Sequence, residues 1–196
     1  MRAFGFAGRG VIAIVGGTLV VFYMAVLFPA ASLKSGSPQN RVVDLQRAHE
    51  VESFARVLEA WCATNDHAVA IMKRENIWRL DSSFPAIYGL TFAFLYSWLT
   101  RRRQPTRLDR LFFGLPLAAA VFDYIENVLE LYALKDIDTL ADVQTALASH
   151  TFNEQAILWQ SVSAYVKYAL LAASLAAIVV TLLARVFAAA WRQTNR

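Results

Sequence analysis

Phe122-Asp123-Tyr124-Ile125-Glu126-Asn127, followed one turn later by Glu130, decides how this chain is read. Residues 111–122 ahead of it form an apolar run, and that run ends in acids. An ionised carboxylate inside hydrocarbon costs about 2.5–3.5 kcal/mol on insertion scales, so it must face protein or water and have a partner. The stretch is therefore expected to be the outer part of a membrane-spanning helix, with the rest of the chain supplying the partners.

Working outward, the composition agrees. Hydrophobic residues make up 57% of the 196 residues and charged residues 17%, and the mean hydropathy is +0.40. An uncharged apolar run of about 18 residues or more is long enough to cross hydrocarbon as a helix. The spans are expected at 10–33, 82–100, 108–133 and 156–187, with an outer helical segment at 41–78 and an outer loop at 135–154. The expected fold is all-α, a four-helix transmembrane bundle with a small helical extracytoplasmic cap, forming a single integral membrane domain over 1–196. The first apolar segment is too long for a signal-peptide core, although Pro29-Ala30-Ala31-Ser32 resembles a cleavage region.

A pI near 9.4 could suggest nucleic acid, but the charges are sorted along the chain. Arg2, Arg9, the arginines of 101–110, Arg185, Arg192 and Arg196 face a single acid, Asp109. The other two connecting segments carry more acids than bases. The positive-inside rule places the first group in the cytoplasm, with both termini. The expected partner is membrane lipid, and no nucleic acid is expected. The single cysteine, Cys62, excludes an internal disulfide and a Cys-based metal cluster, and it falls on an apolar helical face with Phe54, Ala55 and Leu58. No P-loop, dinucleotide fingerprint, HExxH or CxxC is present, and no cofactor is expected.

Residues 34–40 read as a turn leaving the membrane. Val51 to Cys62 has the spacing of an amphipathic helix, and Asn65 or Asp66 could cap a short helix after it. These form either a cap over the span ends or an interfacial helix lying on lipid. Asp81 or Ser82 could cap the second span, with Pro85 in its first turn, and Asp138 could cap a helix carrying Leu140, Val143 and Leu147. Gly16-Gly17 is a close-approach point, Gly114 and Pro116 could bend the third span, and Tyr96, Trp98 and Trp191 suit membrane interfaces.

Depths can be compared at 1.5 Å of rise per residue. Counted from Arg110, Asp123 lies about 20 Å across and Glu130 about 30 Å; from Arg185, Lys167 lies about 27 Å across. Tyr88 and Tyr23 fall at about 20 Å on their own spans. Asp123, Glu126, Asn127 and Glu130 share one helical face through i, i+3, i+4 and i+7 spacing. Lys167 is the basic residue within the apolar part of a span at that depth, and so the expected partner of Asp123 or Glu126. Asp123, Glu126 and Lys167 are the candidates for chemistry. Asp81, Tyr88, Asn127, Glu130, Tyr23 and Tyr168 are the candidates for ligand contact.

Two stretches carry a resemblance. Asp81-Ser82-Ser83-Phe84-Pro85-Ala86-Ile87-Tyr88-Gly89 is similar to D-x-x-[YF]-P-x-x-Y-G, and Phe122 to Asn127 is similar to F-D-Y-x-E-N. Both resemble a pattern of bacterial four-span membrane proteins to which no activity attaches. The resemblance implies a bacterial cytoplasmic membrane and marks Asp81, Pro85, Tyr88, Gly89, Asp123, Glu126 and Asn127 as defining positions.

Three functions fit these residues. The first is a polar pocket in the outer leaflet half that takes the polar end of an amphipathic or lipid-like molecule. Any chemistry there would use Asp123 or Glu126 as general acid or base and Lys167 against developing negative charge. The second is an interaction or assembly protein in which the cluster is interhelical glue. The third is proton or ion translocation, for which the inner half offers no ionisable relay. Metal sites from His49, His67 and His150, or from Asp81, Asp123, Glu126 and Asn127, are weaker readings: the histidines lack ligand spacing, and Lys167 opposes a cation among the acids.

Overall fold

A computed structural model describes residues 6–30, 42–101, 104 and 106–194. The exit turn 34–40, residues 31 and 32 of the cleavage-like region, and residues 102, 103 and 105 of the arginine turn lie outside the described residues. Among the described residues every regular element is helical, and no strand occurs.

Helix α1, Phe6–Phe22, passes through a π-helical turn at Tyr23–Leu27 and stays helical to residue 30. Short helices α2 (Val42–Arg47), α3 (Val51–Cys62) and α4 (Ala68–Met72) follow, and α4 runs on as a π-helical segment, Lys73–Leu80. Then come α5 (Phe84–Thr100), α6 (Arg107–Ala133), α7 (Leu140–Ala148) and α8 (Glu154–Thr194). Among the described residues three helices are long and apolar enough to cross a membrane: Gly10–Ala30, Arg107–Ala133 and Glu154–Thr194. The remaining expected span, 82–100, is α5; at 17 residues it is shorter and is not one of the three.

The long helices pack as antiparallel neighbours. Tyr96 of α5 meets Asp109 at the arginine end of α6, and Tyr88 meets Asp123 further on. On α8, Ala156 and Ile157 pack with Ala133 and Leu134, whereas Ile178 packs near Phe112. Helix α1 lies along α5 where both lack bulk: a Cβ on Gly16 would fall on the Thr91 hydroxyl, whereas Gly17 faces open space. Gly89 brings α5 against α6, since its Cβ would stand 2.9 Å from that of Ala120 and 3.1 Å from the Pro116 carbonyl oxygen.

Helix α6 has its polarity reversed relative to a water-soluble helix. It buries Asp123, Glu126, Asn127 and Glu130 while exposing Val121, Ile125 and Val128. Water would reward the opposite arrangement, and hydrocarbon rewards this one.

The segment after α1 is a packed cap. Phe54, Ala55, Leu58, Trp61 and Cys62 of α3 are buried with Val69, Met72, Leu134, Ile137, Val143 and Phe152, so α3 is not an interfacial helix lying on lipid. Burial raises the Cys62 thiol pKa, as suits a small core residue. Several caps differ from expectation. Asp66 accepts from the Leu140 backbone N–H rather than capping its own helix. Thr139 caps α7 in a capping box with Asp142, whose carboxyl is held below its usual range first by the Asp138 backbone N–H. Asp138 itself pairs with Lys73. Ser83 occupies the cap position of α5 without a side-chain bond, in place of Asp81 or Ser82. Tyr96 is buried on Asp109, while Trp191 is exposed.

Candidate functional site

The cap-side half of α6 presents its four polar residues to α5 and α8. Glu126 is fully buried and Glu130 is 1% exposed; Asp123 and Asn127 are each 6% exposed. Lys167 of α8, 5% exposed, places Nζ 2.9 Å from Asp123 Oδ1 and 2.6 Å from Glu126 Oε2. Tyr88 of α5 donates its hydroxyl to Asp123 Oδ2 at 2.9 Å. One ammonium, one phenol and two carboxylates thus tie three helices together. The i, i+3 spacing puts Asp123 and Glu126 on either side of one incoming cation.

The turn before α5 closes the cap side. Asn127 donates through Nδ2 to the Asp81 carbonyl oxygen at 3.3 Å, and Tyr124 donates to the Ser82 carbonyl oxygen at 3.0 Å. The Asp81 carboxyl, in this turn, is pushed up to about 8, first by burial and then by the charge of Asp123.

Seven of the nine sequence-predicted site residues therefore converge: Asp81, Tyr88, Asp123, Glu126, Asn127, Glu130 and Lys167. Tyr23 does not. Its hydroxyl pairs with Ser83 Oγ at 2.8 Å and its ring stacks on Phe84, because the α1 face that reaches α5 carries it to the helix entry rather than to the acids. Tyr168 is at the border. Its ring lies 4.9 Å from Lys167 Nζ, but its hydroxyl donates to Gln46 of the cap, so it links cap to bundle.

Sequence reasoning missed part of α8. Gln160, Ser161, Ser163 and Lys167 are all buried, and Gln160, Ser163 and Lys167 recur at i, i+3 and i+7. That spacing, one polar face inside an apolar helix, was the available signal. It also missed a second polar tie at the arginine end, where Asp109 closes a capping box with Thr106 and accepts from Tyr96. A separate cleft of about 300 Å³ opens in the cap between Tyr132, Asp136, Asp142 and Asn153.

The cluster holds four carboxylates, Asp81, Asp123, Glu126 and Glu130, around one ammonium. Several of its buried oxygens have no hydrogen-bond donor: Glu126 Oε1, Asn127 Oδ1 and Glu130 Oε1. Such atoms cost about 1–3 kcal/mol each when left open. Among the described residues no group of three or more His, Cys, Asp or Glu is arranged to hold a metal ion. No family model matches the chain, and neither a curated protein nor a solved structure is significantly similar to it.

Proposed function

We propose that this chain is a four-span integral protein of a bacterial cytoplasmic membrane that holds the polar end of an amphipathic, lipid-like molecule among its outer-half acids. In this reading α5, about 25 Å long, is the fourth span, both termini are cytoplasmic, and the cap stands outside. The arginine distribution supports the orientation. The two motifs that resemble bacterial four-span proteins support the grouping, since their residues meet: Tyr88 on Asp123, Asn127 on Asp81, and Gly89 on Ala120.

The observation that carries the reading is the set of buried oxygens left open in the middle of a helix–helix contact. A contact that served stability alone would match each acceptor with a donor. The test is native mass spectrometry of the purified protein with its co-purified lipid. An amphiphile retained by the native chain and lost from Asp123→Asn and Glu126→Gln is expected. Equal retention by all three contradicts the reading.

A second reading has its own support. Lys167, Asp123, Glu126 and Tyr88 form a closed clamp with Glu126 fully buried, as interhelical glue would. It predicts that Lys167→Met lowers stability by about 3–5 kcal/mol, with part recovered in Lys167→Met/Glu126→Gln. An unchanged melting temperature in Lys167→Met removes this reading. In the closed arrangement no reactant reaches Glu126 without helix movement, so acid–base chemistry there requires an open state.

A further inference from the structure

We propose that the polar end taken by this cluster is a protonated primary amine, seated between Glu130 and Glu126 of α6 and Gln160 and Ser161 of α8. The inference rests on the ligand-binding reading above and names the chemical class of the head group.

The register between the two helices places these residues together. Lys167 facing Asp123 and Glu126 fixes how α8 runs along α6. Seven residues toward the cap on each helix, about 10 Å, bring Glu130 to the level of Gln160. Five buried oxygens on these two helices have no hydrogen-bond partner: Glu126 Oε1, Asn127 Oδ1, Glu130 Oε1, Gln160 Oε1 and Ser161 Oγ. The two amide oxygens can only accept, the two carboxyl oxygens accept when ionised, and the serine hydroxyl can do either.

The two amides show that this is a matter of design rather than of atom assignment. Asn127 gives its nitrogen to the Asp81 carbonyl oxygen, and Gln160 gives its nitrogen to the Leu45 carbonyl oxygen at 3.2 Å. Turning either amide over would set oxygen against oxygen. Both are therefore held with the acceptor end free.

Charge selects among the head groups that could supply donors. Glu126 and Glu130 are 0% and 1% exposed, and Lys167 is already shared between Asp123 and Glu126. A phosphate or carboxylate head would add negative charge to this surplus. A sugar brings as many acceptors as donors and no charge. A quaternary ammonium has the charge but no N–H. A primary ammonium brings three N–H donors and one positive charge, matching both deficits at once. The amine could belong to a lipid or to a small soluble molecule.

The test uses the full chain in a neutral maltoside detergent at neutral pH, with thermal unfolding followed during titration. The probes are dodecylamine, dodecyltrimethylammonium, dodecanoate and propylamine. Dodecylamine is expected to raise the melting temperature saturably. Dodecyltrimethylammonium is expected to be weaker by about tenfold or more, the equivalent of one lost charged hydrogen bond. Dodecanoate is expected to have no such effect. Glu130→Gln should weaken the dodecylamine response by a similar factor, and the comparison of probes on the native chain needs no variant to fold.

If dodecanoate or the quaternary amine matches dodecylamine, and the response is lost in Asp123→Asn, the amine assignment is overturned while the amphiphile-binding reading stands. Propylamine as effective as dodecylamine supports the amine and overturns its amphipathic source. A response that Glu130→Gln leaves intact places binding elsewhere and overturns the proposal. The absence of any probe effect overturns both the proposal and the reading it rests on.

Discussion

Asp123 is held from two sides, by Lys167 through Oδ1 and by Tyr88 through Oδ2, and the phenol is the simpler of the two to remove. Tyr88→Phe keeps the ring and deletes a hydrogen bond to a buried carboxylate. The expected loss is about 1.5–3 kcal/mol, measured by chemical unfolding in detergent micelles. Tyr96→Phe should cost a similar amount by the same logic, since its hydroxyl serves Asp109. The two carboxylates lie about 21 Å apart along α6, so the double variant should be additive to within about 0.5 kcal/mol. A harmless Tyr88→Phe, or strong coupling between the two, would show that the ties are not as described. At this scale the acid face was legible because four polar residues at helical spacing interrupt an apolar run. Lys167 was legible for the same reason. Gln160 and Ser161 were harder to read, because uncharged polar residues are common in spans and carry no penalty large enough to demand a partner, and only Gln160 shares the helical spacing of Lys167. Tyr23 was misplaced because matching depth does not fix which way a helix turns its side chain.

Between elements, α1 comes nearest to α5 at Gly16. Gly16→Ala is expected to cost about 1–3 kcal/mol by overpacking, because the added methyl meets Thr91, whose hydroxyl is engaged with the Ile87 carbonyl oxygen at 2.6 Å. Gly17→Ala meets nothing and should be neutral or stabilising by up to about 1 kcal/mol, the helix-propensity gain. Equal effects in melting experiments would mean that α1 packs through another face. The sequence marks the Gly16-Gly17 pair but does not say which member is used, since neighbouring helical residues point about 100° apart. Element existence was readable from apolar periodicity, and α3, α6 and α7 fall close to expectation. Helix starts were less so. Asp66, Asp81 and Asp138 each look like a cap, yet Asp66 and Asp138 serve residues distant in sequence, Leu140 and Lys73, and Asp81 enters the acid cluster. The cap could not be separated from a lipid-lying helix, because both need one apolar face. What settles it is Leu134, Ile137 and Phe152 meeting that face.

For the whole molecule, the apolar exterior and acidic interior make stability depend on pH through Asp81, in the turn before α5. The Asp81 carboxyl is pushed up from 3.8 to about 8. Between these values the folded protein keeps a proton that the unfolded chain has released, so stability falls as pH rises through the window and levels off above it. Asp81→Asn should flatten this part of the curve, as read from unfolding free energy across the range. A native curve rising through the same window, or one that Asp81→Asn leaves unaltered, would contradict the placement of Asp81 beside Asp123. Membrane residence was legible in composition and in the sorting of arginines from acids. The position of α5 was read closely, 82–100 against Phe84–Thr100, yet it is not among the described helices long and apolar enough to cross a membrane.

The claim on which the rest stands is that Lys167 and Asp123, from helices far apart in sequence, are one buried pair. A double-mutant cycle on unfolding free energy tests it directly, with Asp123→Asn, Lys167→Met and the two combined. A coupling of about 1–3 kcal/mol is expected, the double variant being less damaged than the sum of the singles. Additivity within about 0.5 kcal/mol would mean that the two groups do not meet, and would contradict the account.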